Sequence, residues 1–152
     1  MPGVPLAQAS EWAAAVFQPA IARAAQRAVT ICLEPLAPAE TNFINTAADA
    51  IQFARQFNSP NFKIILDVKA MCSEAKPIPQ IIRESWPHFA HVHANDRNLK
   101  GPGFGDVDFK PIAAALKETG YEGFVSVEVF DFAEGPEVIA RESRRYLREC
   151  FG

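Results

Sequence analysis

Apolar positions alternate along this chain between two rhythms, a helical one and a run-like one. SEWAAAVFQPAIARAAQRA (10–28) follows the helical period, with Ser10 as the predicted N-cap and Pro19 as a kink. VTICLEP (29–35) then reads as a short buried strand, and NTAADAIQFARQFN (45–58) as a second helix. FKIILDV (62–68) predicts a second strand, PIPQIIRESW (77–86) a short helix opened by proline, and FAHVHA (89–94) a third strand. DFKPIAAALKETG (108–120) carries Asp108 at an N-cap position and Gly120 just past the helix end. FVSVEVF (124–130) is the fourth strand, and GPEVIARESRRYLREC (135–150) closes as an amphipathic helix with basic residues late in it.

Strand followed by helix, four times, with strands apolar on both faces, predicts an α/β fold: a parallel sheet covered by helices. The exceptions within the strands are informative. VSVEVF places one carboxylate, Glu128, in an otherwise almost wholly apolar run, and a lone buried charge costs several kcal/mol (about 3–5) unless something compensates it. Similar oddities occur at Glu34, Asp67 and His93, separated by 33, 26 and 35 positions. Each interval is about one βαβ repeat of roughly 30 residues. The four side chains therefore fall near the C-terminal ends of successive strands, where parallel α/β folds bind ligands and place their chemistry.

Two glutamates, an aspartate and a histidine gathered at one end of a sheet form a mixed oxygen and nitrogen site for a divalent metal. Carboxylates suit Mn²⁺ or Mg²⁺, and an imidazole adds affinity for Mn²⁺, Co²⁺ or Zn²⁺; Mn²⁺ is the expected ion. A cation also neutralises carboxylates that would otherwise repel one another in a low-dielectric pocket.

Composition narrows the alternatives. The 152 residues, 49% apolar and 22% charged, fit one soluble globular domain. A net charge of −3 gives no electrostatic reason to expect nucleic acid or anionic membrane as a partner. No apolar run reaches the ~20 residues of a membrane span, and MPGVPLAQASEW lacks the charged-then-apolar order of a secretory signal. Cys32, Cys72 and Cys150 have no metal-type spacing, so reduced thiols in a cytoplasmic protein are expected.

LEPLAPAETNFINTAADA, IILDVKAM, HVHANDRN, GPGFGDVDF and GFVSVEVF together resemble the sugar isomerase/epimerase family with a xylose isomerase-like TIM barrel, which includes ketose 3-epimerases, hydroxypyruvate isomerases and inosose dehydratases. The resemblance runs from about Thr30 to the C-terminus, and the most specific piece is the stretch from Glu34 to Thr46. It implies that Glu34, Asp67, His93 and Glu128 ligate the metal, from strands five to eight of the barrel, with Glu34 and Glu128 also acting as the acid/base pair on opposite faces of the substrate. Glu40 matches a substrate-contacting position. The implied reaction passes through an enediolate of a sugar or sugar phosphate. Return of the proton from the far face inverts the stereocentre, whereas return to the neighbouring carbon isomerises aldose and ketose; the ligand set fits both.

Ala70 stands where the family often has a substrate-contacting histidine, with Lys69 just before it. Arg97 or Lys100 takes the place of the arginine that often follows the HVH strand, and Lys69, Arg97 and Lys100 are candidate cations for a substrate phosphate or carboxylate. His91 is expected to be a hydrogen-bonded core residue, Asp96 a loop cap or ligand-orienting group, and His88 a surface residue. GPGFGD (101–106) lacks the Lys-Ser/Thr of a P-loop and reads as a tight active-site loop, with Phe104 and Phe130 as pocket lining.

A complete barrel of this type needs eight βα units and about 250 residues. Four units predict a partial barrel over 1–152, its C-terminal half, with two unpaired sheet edges. The expected partners are a small-molecule sugar and either a second copy or a separate N-terminal half. Two other functions compete: a family remnant that keeps the metal without turnover, and an apurinic endonuclease-like metal hydrolase, whose trinuclear zinc site uses more than the three histidines present.

Overall fold

The computed structural model describes residues 3–152. Four strands, β1 (Ile31–Leu33), β2 (Phe62–Asp67), β3 (Phe89–Ala94) and β4 (Val125–Val127), form one parallel sheet in sequential order. Six helices accompany them: α1 (Leu6–Gln26), α2 (Ala47–Arg55), α3 (Val68–Met71), α4 (Ile78–Ser85), α5 (Phe109–Glu118) and α6 (Pro136–Phe151). The alternating βα architecture expected from the apolar pattern is the one observed.

Local chemistry accounts for most boundaries. Thr46 caps α2 by accepting from the Asp49 amide, and Asp108 caps α5 by accepting from the Lys110 amide. Gly120 follows α5 with φ +72°, the left-handed conformation that glycine adopts without strain. The first helix departs from expectation. It begins at Leu6 behind Pro5, so Ser10 lies within the helix and caps nothing. Proline is well suited to the entry because its fixed φ is preorganised and its missing N–H is not needed there. Pro19 lies inside the helix, as expected.

Phe62, Ile64 and Leu66 of β2 pack with Phe89, Val92 and Ala94 of β3 beneath Ala50, Ile51, Ile82, Phe109 and Leu116 of the helices. A cluster of Phe17, Phe53, Phe57 and Phe62 rings, with centroids 5.0–6.5 Å apart, ties α1 and α2 to the start of β2. The other face of the sheet carries the polar residues. Its register is set by a bulge between Ile64 and Ile65: Ile64 pairs with Phe89, but Ile65 pairs with His91 and Asp67 with His93. Without that extra residue in β3, Asp67 would stand level with Val92, whose side chain points into the helix layer. The bulge is what sets Asp67 and His93 side by side.

Candidate metal centre

Glu34 directly follows β1, Asp67 ends β2, His93 lies within β3 and Glu128 directly follows β4. Their ligand atoms all lie within 4.8 Å of one another. His93 Nδ1 is the hub, 3.3 Å from Glu34 Oε1, 3.4 Å from Glu128 Oε2 and 3.8 Å from Asp67 Oδ2. Glu128 keeps its place through the backbone, since its N–H donates to the Ala94 carbonyl at 3.1 Å and continues the β3–β4 ladder beyond Val127.

Burial differs within the group. The Asp67 side chain is 2% exposed, whereas those of Glu34 and Glu128 are 32% and 30% exposed. Asp67 Oδ1 accepts from the Ala70 amide at 2.7 Å, capping α3, while Oδ2 accepts from Asn95 at 2.6 Å. Asp67 is thus fixed from both sides, and the two glutamates remain reachable by a small molecule. Burial pushes the Glu128 carboxyl above its ordinary range; Asp67 and Glu34 push the same way and His93 opposes them.

The donor set fits a divalent metal. Three carboxylates and one imidazole converge on one point. Metal–oxygen bonds of about 2.1 Å put opposed ligand atoms roughly 4.2 Å apart, so small side-chain adjustments close this group onto one ion.

Asn95 was missed in the sequence. It is fully buried; its amide nitrogen donates to Asp67 Oδ2 and, at 3.1 Å, to Glu128 Oε2, and its Oδ1 accepts from the Lys69 amide at 2.7 Å. The signal was available, because residues 91, 93 and 95 share one face of an extended chain.

Lys69 stands beside the cluster, near enough to feel the charges of Asp67 and Glu128. Its Nζ lies 2.9 Å from Glu40 Oε1 and 4.3 Å from the centroid of the Phe130 ring. Burial alone would pull this amine down, but Glu40, with Asp67 and Glu128 beyond it, holds it above its ordinary value. Glu40 therefore joins the site's rim through Lys69, and Phe130 lines it. Of the other two candidate cations, Lys100 pairs with Glu134 and lies 3.9 Å from Asp131, and Arg97 is exposed.

His91 corrects an expectation. It is half-buried rather than core, and its ring lies edge-on to His93 with centroids 5.3 Å apart. His88 is partly exposed and pairs with Arg55 at 2.9 Å. Asp96 is fully buried; its Oδ2 accepts from the Val107 amide at 2.9 Å, so it buttresses the glycine-rich loop. Phe104 contributes its carbonyl to Asn98 at 3.0 Å in that loop. All three cysteines are free, and among the described residues no helix is long and apolar enough to cross a membrane.

Comparison with known proteins identifies the family of the fold. The chain is 36% identical to a D-psicose 3-epimerase from Ruminiclostridium cellulolyticum over 102 residues, which cover 67% of this chain and 35% of that protein. It is 32% identical to a ketose 3-epimerase from Arthrobacter globiformis over 132 residues, covering 84% of this chain and 44% of the relative. The fold superimposes on the apo crystal structure of a 3-keto-D-glucoside 4-epimerase from E. coli with a TM-score of 0.92 and 27% identity, over 99% of this chain and 57% of that one. The chain thus spans about a third to somewhat over half the length of these proteins. The sequence profile of one family matches residues 1–150, and the chain belongs to that family, the xylose isomerase-like TIM barrels.

Proposed function

We propose that this chain is the metal-bearing C-terminal half of a divalent-metal-dependent ketose 3-epimerase. The observation that supports it most is the convergence of Glu34, Asp67, His93 and Glu128 within 4.8 Å at the C-terminal end of the sheet. In this reading all four hold the ion, with Mn²⁺ favoured. A divalent cation there supplies polarisation of the substrate carbonyl and neutralises charge on the enediolate.

The protein's own groups move the proton. One of the two accessible glutamates, Glu34 or Glu128, takes the proton from the carbon next to the carbonyl, and the other returns one from the opposite face. Asp67, buried and twice hydrogen-bonded, is confined to binding. Glu40 contacts the sugar at the rim. Lys100 is already matched by Glu134, which favours an unphosphorylated ketose. Arg97 remains exposed, suited to an outer substrate contact. The single imidazole in the cluster speaks for this carboxylate-rich reading over a histidine-rich nuclease site. The partners that follow are a small ketose and, for the unpaired edges of the sheet, a second copy or a separate N-terminal half, in the cytoplasm.

Deuterium wash-in at C3 of D-psicose, measured with Mn²⁺-loaded protein, tests the proposal. Exchange that is lost in Glu128→Gln and Glu34→Gln supports it, as does Mn²⁺ binding that collapses in Asp67→Asn. Stoichiometric Mn²⁺ binding without any exchange in the wild type overturns the epimerase reading in favour of a non-catalytic metal protein. Equal, negligible Mn²⁺ in wild type and Asp67→Asn overturns the metal centre itself.

A further inference from the structure

Lys69 is the unusual group at this site. Its side chain is only 11% exposed, yet it is long and charged. The ammonium sits between segments that follow both outer strands: Glu40 comes six positions after Glu34, and Phe130 two positions after Glu128. Both contacts are held in place from behind. Glu40 Oε2 accepts from the Ala37 amide at 3.1 Å, and the Phe130 N–H donates to the Leu99 carbonyl at 2.9 Å. The base of the lysine is fixed as well, because its own N–H is bound to Asn95, the residue that also ties Asp67 to Glu128.

An ammonium has three N–H donors and no acceptor. Glu40 takes one and the Phe130 ring face receives the charge, which leaves donor capacity at the mouth. The charges of Asp67 and Glu128 also act on it, so the ammonium stands beside the cluster. Resting on the epimerase reading, we propose that Lys69 binds the substrate directly, donating a hydrogen bond to a ketose oxygen that flanks the reacting carbons. Glu40 and Phe130 aim the ammonium, and its charge stabilises the oxyanion that develops when the neighbouring proton leaves. Lys69 would then be a substrate-binding group supplied by β2's own extension, beside the alanine at position 70.

The test is calorimetric titration of D-psicose into Mn²⁺-loaded full chain, comparing wild type, Lys69→Met and Lys69→Arg, with Mn²⁺ affinity measured separately on each sugar-free protein. Loss of a charge-assisted hydrogen bond predicts about tenfold or greater weakening of psicose binding in Lys69→Met. Mn²⁺ affinity should be unchanged or tighter, because a like charge has been removed, and Lys69→Arg should recover part of the sugar binding. Wild-type psicose binding that Lys69→Met matches overturns this inference and leaves the epimerase reading standing. Parallel loss of Mn²⁺ and psicose binding in Lys69→Met also overturns it, since the lysine would then be holding the centre together. A wild type that binds Mn²⁺ but no psicose removes the epimerase reading and the inference with it.

Discussion

Asn95 makes three hydrogen bonds, to Asp67, to Glu128 and from Lys69, with no exposure to solvent. It orients two carboxylates without being charged itself, which makes it an outer support for the proposed metal centre. Such supports change metal affinity by about 10–100-fold when removed. Asn95→Ala should therefore weaken Mn²⁺ binding by that factor in chelator competition while the far-ultraviolet circular dichroism stays native; unchanged affinity would deny the supporting role. A steric constraint acts on the glycine-rich loop. A Cβ on Gly105 would lie 2.3 Å from Asp96 Cγ, inside any permitted contact, and Asp96 is itself fully buried. Gly105→Ala must displace the loop or the carboxylate, and the expected cost is about 1–3 kcal/mol in urea unfolding.

Among the elements, α2 depends on caps from two sources. Thr46 Oγ1 accepts from the Asp49 amide at 3.1 Å, and Glu74, beyond α3, accepts from the Ala47 amide at 3.0 Å. Thr46→Ala should cost about 1 kcal/mol, and Glu74→Ala a similar amount, about 1 kcal/mol, by removing a tertiary hydrogen bond; chemical denaturation of both variants measures this. Neither cap was read from the sequence, although one of them has a local signature. A Thr followed three residues on by Asp is a local signal, whereas Glu74 acts across 27 positions and has no periodicity to betray it. The same distinction separates the other elements. β3, α5 and its caps were legible because apolar rhythm and cap residues are written locally. The bulge between Ile64 and Ile65 and the single turn of α3 were not, because pairing register and tertiary packing decide them. The four metal-site candidates were legible from their repeat spacing, yet their meeting depends on that bulge. Asn95 escaped because attention to charged and imidazole groups passes over a neutral amide.

At the scale of the whole molecule, the sheet ends abruptly on both sides. Among the described residues, β1 pairs only with β2, and β4 only with β3. Each outer strand therefore offers a row of backbone donors and acceptors to any parallel strand that approaches. Apolar side chains stand beside both rows, with Val29 53% exposed ahead of β1 and Phe124 81% exposed ahead of β4. Water satisfies the backbone groups but not the rings, so burial of such a patch against a second chain is favourable. The isolated chain should consequently sediment as a concentration-dependent mixture, with larger species growing as protein is added. Phe124→Lys introduces a strongly hydrated charge at the more exposed edge, a device natural sheets use against edge pairing, and should shift the distribution toward the monomer without lowering Mn²⁺ affinity, because residue 124 contributes no ligand. A wild type that remains monomeric at every concentration, while unfolding in one cooperative step, would mean that four βα units close their own edges well enough to need no partner.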